Sequence, residues 1–135
     1  MVKKIRDIEE IKTNKQISKR AVEIAIKYLR KKYPKKKIVD VGGNKKEGCD
    51  LKIGNDIFVE VKGTGQEARK KGFFYLSENE FRCACKHKRY YLLWVNTKTK
   101  KIQIIDRDEV LRNTRPSTLY FLNLTESRRK VLEKE

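Results

Sequence analysis

The sequence predicts one α/β domain, a mixed central β-sheet flanked by α-helices, on three observations. Ile17, Ala21, Ile24, Ala25 and Tyr28 recur at helical spacing and form one apolar stripe. Residues 57–61 and 90–95 are dense apolar runs, rich in β-branched and aromatic side chains, that suit strands. Ordered along the chain, such segments read helix, three strands, helix, two strands, which is the pattern of a sheet covered by helices.

Each element has its own local reasons. Ile5, Ile8 and Ile11 suggest a short first helix, and Thr13 and Asn14 offer an N-cap for a longer second one. That longer helix closes on Arg30, Lys31 and Lys32, which suit the negative end of the helix dipole, and Pro34 bounds it. Residues 38–41 read as a strand followed by a Gly42-Gly43-Asn44 turn. Residues 49–53 and 57–62 read as a hairpin joined by Gly54-Asn55-Asp56. Residues 63–72 are polar and glycine-bearing and predict a loop; residues 73–76 return as an extended piece. Ser77-Glu78-Asn79-Glu80 is a capping box, in which the Ser77 hydroxyl accepts the Glu80 amide hydrogen and the Glu80 carboxylate reaches back. It predicts a helix through about His87, with Asn79 and Glu80 serving the cap. Residues 90–96 and 101–105 predict two more strands, 106–112 one or two helical turns, and 120–124 a last strand before a helix capped by Thr125.

The length of 135 residues suits one domain with a real core. Residues 1–13 read as an extension or short helix, 14–106 as the core, and 107–135 as a C-terminal strand and helix. Thirty-five Lys and Arg stand against 18 Asp and Glu, a formal net charge of +17. A surplus of that size repels itself unless a polyanion neutralises it, so nucleic acid is the expected partner. Membrane is not expected, because no helix carries a Trp- or Phe-rich amphipathic face. The first residues lack the apolar stretch of a signal peptide, and three cysteines (Cys49, Cys83 and Cys85) make no even disulfide framework. A reducing, cytoplasmic setting is therefore expected, with the cysteines as small buried or half-buried hydrophobes.

The hairpin carries the chemistry. Alternation along residues 57–62 puts Ile57, Val59 and Val61 on one face and Glu60 with Lys62 on the other. An acid and an amine on an inner strand are costly unless they meet solvent, a metal or a phosphate. Asp50, on the partner strand, is placed to converge with Glu60, and two neighbouring carboxylates repel until a divalent cation relieves them. Asp50 and Glu60 holding Mg²⁺, with Lys62 orienting water or stabilising charge, suits phosphodiester hydrolysis.

Gly48-Cys49-Asp50, then Glu60-Val61-Lys62-Gly63-Thr64, then Leu76-Ser77-Glu78-Asn79-Glu80 leading to Tyr90-Tyr91-Leu92, resembles the PD-(D/E)XK nuclease superfamily. Within it the order is most like the NO VEIN C-terminal-like family, and is also similar to Mrr-like restriction endonucleases and archaeal Holliday junction resolvases. The resemblance covers roughly residues 18–105. It implies a restriction-endonuclease-like core with a mixed four-stranded sheet, Mg²⁺ dependence with Mn²⁺ as a substitute, and DNA cleavage. It also implies Asp50, Glu60 and Lys62 as the catalytic set, the Val61 carbonyl as a further metal ligand, and Glu23 as an added acid from the first helix. Cys49 stands where the superfamily name has Pro. A helical wheel sets Glu23 among Lys19, Lys27 and Arg30, away from the apolar stripe, where it would pair with lysines four residues away.

Further expectations concern substrate contact. Glycines at 63 and 65 would let backbone approach a phosphate, with Thr64 or Gln66 donating to it. Arg69, Lys70 and Lys71 with Lys45 and Lys46 would line the rim as non-specific phosphate contacts. Tyr90, Tyr91 and Trp94 read mainly as core, and His87 as a helix-end residue. The two functions in contention are a Mg²⁺-dependent endonuclease of DNA and a non-catalytic nucleic-acid-binding module on the same fold. A homodimer would bring one site to each strand of a duplex; the sequence leaves that open.

Overall fold

Residues 2–65 and 75–116 are described by the computed structural model of the chain. The expected strand at 120–124 and the helix capped by Thr125 lie outside the described residues. The chain begins with one continuous helix, α1 (Val2–Lys32). Two helices were expected. Thr13 and Asn14 are instead interior, because no Pro or Gly interrupts residues 2–32 and a polar cap residue alone does not break a helix. The predicted stop holds: α1 ends on Arg30, Lys31 and Lys32, ahead of Pro34.

Five strands follow: β1 (Ile38–Asp40), β2 (Leu51–Ile53), β3 (Ile57–Thr64), β4 (Tyr90–Asn96) and β5 (Ile102–Asp106). They form one sheet in the order β1-β2-β3-β4-β5. Every pairing is antiparallel except β3 with β4, which are parallel and joined by a crossover through α2 (Glu78–Lys86). The sheet is thus mixed, as expected, with five strands where the family resemblance implied four. A last short helix, α3 (Arg107–Asn113), starts directly after β5, where the Asp106 side chain accepts the Glu109 amide hydrogen at 2.9 Å. This is an α/β fold of the restriction-endonuclease-like kind.

The period of two along β3 divides the interior into two layers. Ile57, Val59 and Val61 join Ala21, Ala25 and Leu29 of α1, with Leu51, Ile53, Leu93 and Val95, in one core. Phe58 and its β4 neighbours Tyr90 and Leu92 join Cys83 and Ala84 of α2 and Val110 of α3 in the other. Arg107 fastens α3 to the end of α2, donating to the carbonyls of Ala84 at 2.8 Å and Cys85 at 2.9 Å.

Two strand boundaries differ from expectation for reasons that bear on the site. β3 does not give way to a loop at Gly63: Gly63 and Thr64 pair with Val95 and Asn96 of β4. Gly63 faces α1, where an added Cβ would fall 2.7 Å from the Ala21 Cβ. That glycine lets a helix approach the backbone. β2 starts at Leu51, not at residue 49, because the Asp50 side chain takes over the ladder position beyond it.

Candidate active site

The site lies on the α2 side of β3. Antiparallel register pairs Leu51 with Val59, so Asp50 stands opposite Glu60 at the end of β2. Its backbone N–H still donates to the Val59 carbonyl at 2.9 Å, but its carboxylate Oδ2 accepts the Val61 N–H at 2.8 Å. The side chain thereby replaces the next backbone acceptor, and its carboxyl is fixed beside Glu60. Each carboxyl lies within the electrostatic reach of the other, and the charge of Asp50 helps raise Glu60.

Glu60 is a buried acid, 4% exposed, in the middle of the sheet. Burial, then the charges of Asp50 and Glu80, push its carboxyl up to about 9, with Lys62 pulling the other way. Asp50 is also raised, by burial first, against the Val61 N–H and the Glu60 carboxyl, which favour its charged form. One proton held between two carboxyl groups is the expected state of such a pair near neutrality.

Lys62 follows Glu60 by two residues and shares its face. Its Nζ lies 3.1 Å from Glu60 Oε2 and 3.0 Å from Glu80 Oε1. Burial disfavours the ammonium, but Glu60 and Glu80 more than offset it and the net shift is upward. Glu80 belongs to α2. The capping box expected there is present in both directions, with Glu80 N–H donating to Ser77 Oγ at 3.1 Å and Ser77 N–H to Glu80 Oε1 at 3.0 Å. The same Oε1 accepts from Lys62, so Glu80 does more than cap the helix. Sequence reasoning missed this second contact: the cap accounted for Glu80 locally, and the partner lies 18 residues away.

The loop bearing Asp50 is held against α2. A short 3-10 turn, Lys45–Glu47, ends on Gly48, whose φ of 68° and lack of a side chain both matter. A Cβ there would sit 2.4 Å from the Asn79 carbonyl oxygen. Beside it Cys49 and Cys83 are both buried, with the Cys49 thiol donating to the Leu51 carbonyl at 3.6 Å; Cys85, expected to be at least half-buried, is exposed.

Glu23 is not brought to this cluster. It is exposed on α1, which covers the opposite face of the sheet, and pairs with Arg20 at 3.4 Å, not with Lys19 or Lys27. Among the phosphate-contact candidates, Lys45 and Lys46 fall in the 3-10 turn, with Lys46 exposed, and Thr64 is half-buried at the end of β3. The Thr64 carbonyl accepts from the Thr97 N–H at 2.9 Å and the Thr97 hydroxyl at 3.2 Å. Gln66, Arg69, Lys70 and Lys71 lie outside the described residues. Tyr90 is fully buried, with Tyr91 and Trp94 half-buried. His87 stacks on Phe58, ring centroids 3.6 Å apart, and burial followed by the charges of Lys86 and Lys52 makes it harder to protonate.

Among the described residues no three His, Cys, Asp or Glu side chains form a metal cage. Two carboxyls side by side are nonetheless the protein donor set that suits Mg²⁺, which keeps most of its waters and takes one or two carboxylates. Among the described residues no helix is long and apolar enough to cross a membrane. No match was found among curated proteins, and none among solved structures. The family described as Protein NO VEIN, C-terminal matches residues 17–106, two thirds of the chain, and spans Asp50, Glu60, Lys62 and Glu80. With that match over the whole sheet and its site, the chain belongs to the NO VEIN C-terminal family and is a nuclease-like domain.

Proposed function

We propose that the protein is a Mg²⁺-dependent endonuclease that hydrolyses phosphodiester bonds in DNA, with Mn²⁺ able to substitute. The observation that carries this reading is Asp50, pinned by the Val61 N–H beside β3, facing Glu60 and its ion-pair partner Lys62 on that strand. Burying Glu60, and placing it beside other acids, costs free energy, as its raised carboxyl records, and a divalent cation offsets that cost. Asp50 and Glu60 would hold the ion, with the Val61 carbonyl as a further oxygen ligand. Bound there, the ion supplies Lewis acidity toward the scissile phosphate.

The chain's own groups do the rest. The Val61 N–H holds Asp50 in place, so its carboxyl does not swing with the loop. Lys62 donates toward the phosphoryl oxygens or the attacking water, stabilising charge that grows as water adds and the P–O bond breaks. The net charge of +17 draws the polyanion in. A second reading, a nucleic-acid-binding module that does not cut, is favoured by Lys62 bridging Glu60 and Glu80, which partly neutralises the acids without a metal ion.

One assay separates the two readings. The protein is incubated with plasmid, linear and branched DNA in Mg²⁺, Mn²⁺ or EDTA. Metal-dependent cleavage that disappears in Asp50→Ala and Glu60→Ala supports the enzyme. Undiminished DNA binding with no product under either metal rejects it in favour of the module.

A further inference from the structure

From the contacts of Lys62 we infer that Glu80 is a positioning residue, whose carboxylate keeps the Lys62 ammonium in place over the Asp50–Glu60 pair when Glu60 turns to a cation. The inference rests on the nuclease reading for its consequence in cleavage, and on geometry alone for the positioning itself.

Lys62 has two carboxyl partners at nearly equal distance, Glu60 at 3.1 Å and Glu80 at 3.0 Å. Glu60 is the partner it shares with the proposed metal site. A cation drawing on Glu60 competes for the carboxylate that Lys62 now uses. A lysine has a flexible four-carbon stem and no fixed fork of donors, so one lost partner leaves its head group free to move. Glu80 is built to prevent that. Its Oε1 is anchored by the Ser77 N–H at 3.0 Å, and its own N–H is tied to Ser77 Oγ at 3.1 Å. The carboxylate is thus pre-set by the first turn of α2, and both Lys62 and Glu80 are largely shielded from solvent, at 22% and 23% exposure. An ion pair with one member fixed by a helix cap and the other on an inner strand defines a point in space, which a surface pair with two mobile ends does not.

The capping box also supplies the test, because glutamine serves at its third position as well as glutamate does. Glu80→Gln keeps the cap and removes the anion; Ser77→Ala weakens the cap and keeps the anion. The readout that needs no cleavage is the Lys62 ammonium ¹⁵N signal and its hydrogen exchange in the full chain, with and without Mn²⁺-free Mg²⁺. In the native protein the exchange should be slow and remain slow on adding Mg²⁺. In Glu80→Gln it should accelerate by about tenfold or more, and most with Mg²⁺ present, while thermal stability stays near that of the native chain. In Ser77→Ala stability should fall and the Lys62 signal should persist.

In cleavage, Glu80→Gln should lower kcat by about a hundredfold with KM for DNA changed far less, as expected when a reacting group is displaced by about an ångström. Slow Lys62 exchange in Glu80→Gln, with or without Mg²⁺, would overturn the inference. So would a Glu80→Gln variant that loses stability in step with Glu80→Ala and Ser77→Ala while its Lys62 exchange is unchanged, because Glu80 would then be a cap and no more. If the native protein cuts nothing yet Glu80→Gln frees Lys62, the positioning stands and the nuclease reading is what fails.

Discussion

Asp50 Oδ2 accepts the Val61 N–H at 2.8 Å, so one side chain both ends the β2–β3 ladder and fixes a carboxyl beside Glu60. Asp50→Ala should therefore carry two separable penalties. Leaving the Val61 N–H without an acceptor should destabilise the fold by about 1–3 kcal/mol. Asp50→Asn keeps an oxygen for that N–H and should recover most of the stability without recovering Mn²⁺ binding. Urea unfolding and calorimetric titration with Mn²⁺ read the two effects apart. Equal loss of stability in both variants would mean that the hydrogen bond is not what holds this corner.

Glu60 sets the pH response. Its carboxyl is raised from 4.5 to about 9, so between those values the folded chain keeps a proton that the unfolded chain releases. The sign follows from proton counting: cation-free stability should decline as pH rises through this window, by at most about 1.4 kcal/mol per pH unit. Divalent binding must expel the proton, so apparent Mn²⁺ affinity should climb with pH by up to about tenfold per unit. Glu60→Gln, which mimics the protonated acid, should flatten the stability slope and abolish cleavage. Urea midpoints from pH 5 to 9, with proton release measured by titration in two buffers, check it.

Gly63 is where the helix layer meets the sheet. A Cβ at that position falls 2.7 Å from the Ala21 Cβ and 3.2 Å from the Ile17 backbone oxygen. Gly63→Ala must push α1 away from β3 and should cost about 1–3 kcal/mol, seen as a lower melting temperature. A melting temperature unchanged from the native chain would contradict the close approach.

Glu23 sits on the solvent side of α1 with Arg20 as its partner. Glu23→Gln should change stability by less than about 0.5 kcal/mol and leave cleavage at the native rate. A large loss of rate would mean that Glu23 reaches the substrate from outside the Asp50–Glu60 pair.

The surplus of 17 positive charges makes DNA affinity salt-dependent. If six to ten phosphates are contacted, affinity should drop on the order of a thousandfold or more between roughly 50 and 200 mM salt. Fluorescence anisotropy with a labelled duplex measures the slope, and a flat response would rule out phosphate neutralisation as the source of binding.

Local chemistry determined much of this protein before any fold was known. Alternation put Glu60 and Lys62 on the face opposite Val59 and Val61, and the Ser77–Glu80 spacing wrote a helix start that the structure reproduces atom for atom. Both signals survive because they depend only on residues within one turn or one strand. Three features were out of reach for the opposite reason. Thr13 and Asn14 offered a cap, but a cap signal marks a helix start only where the preceding chain leaves the helix, and here it does not. Gly63 looked like a loop residue until α1 supplied the neighbour that its missing Cβ accommodates. Glu80 met Lys62 because the crossover between β3 and β4 decides the face on which α2 packs, whereas the helical wheel had already turned Glu23 away from the apolar stripe. That crossover set α2 over the acids, while α1 covers the opposite face. Side-chain direction is local; which helix a side chain meets is a property of the whole sheet.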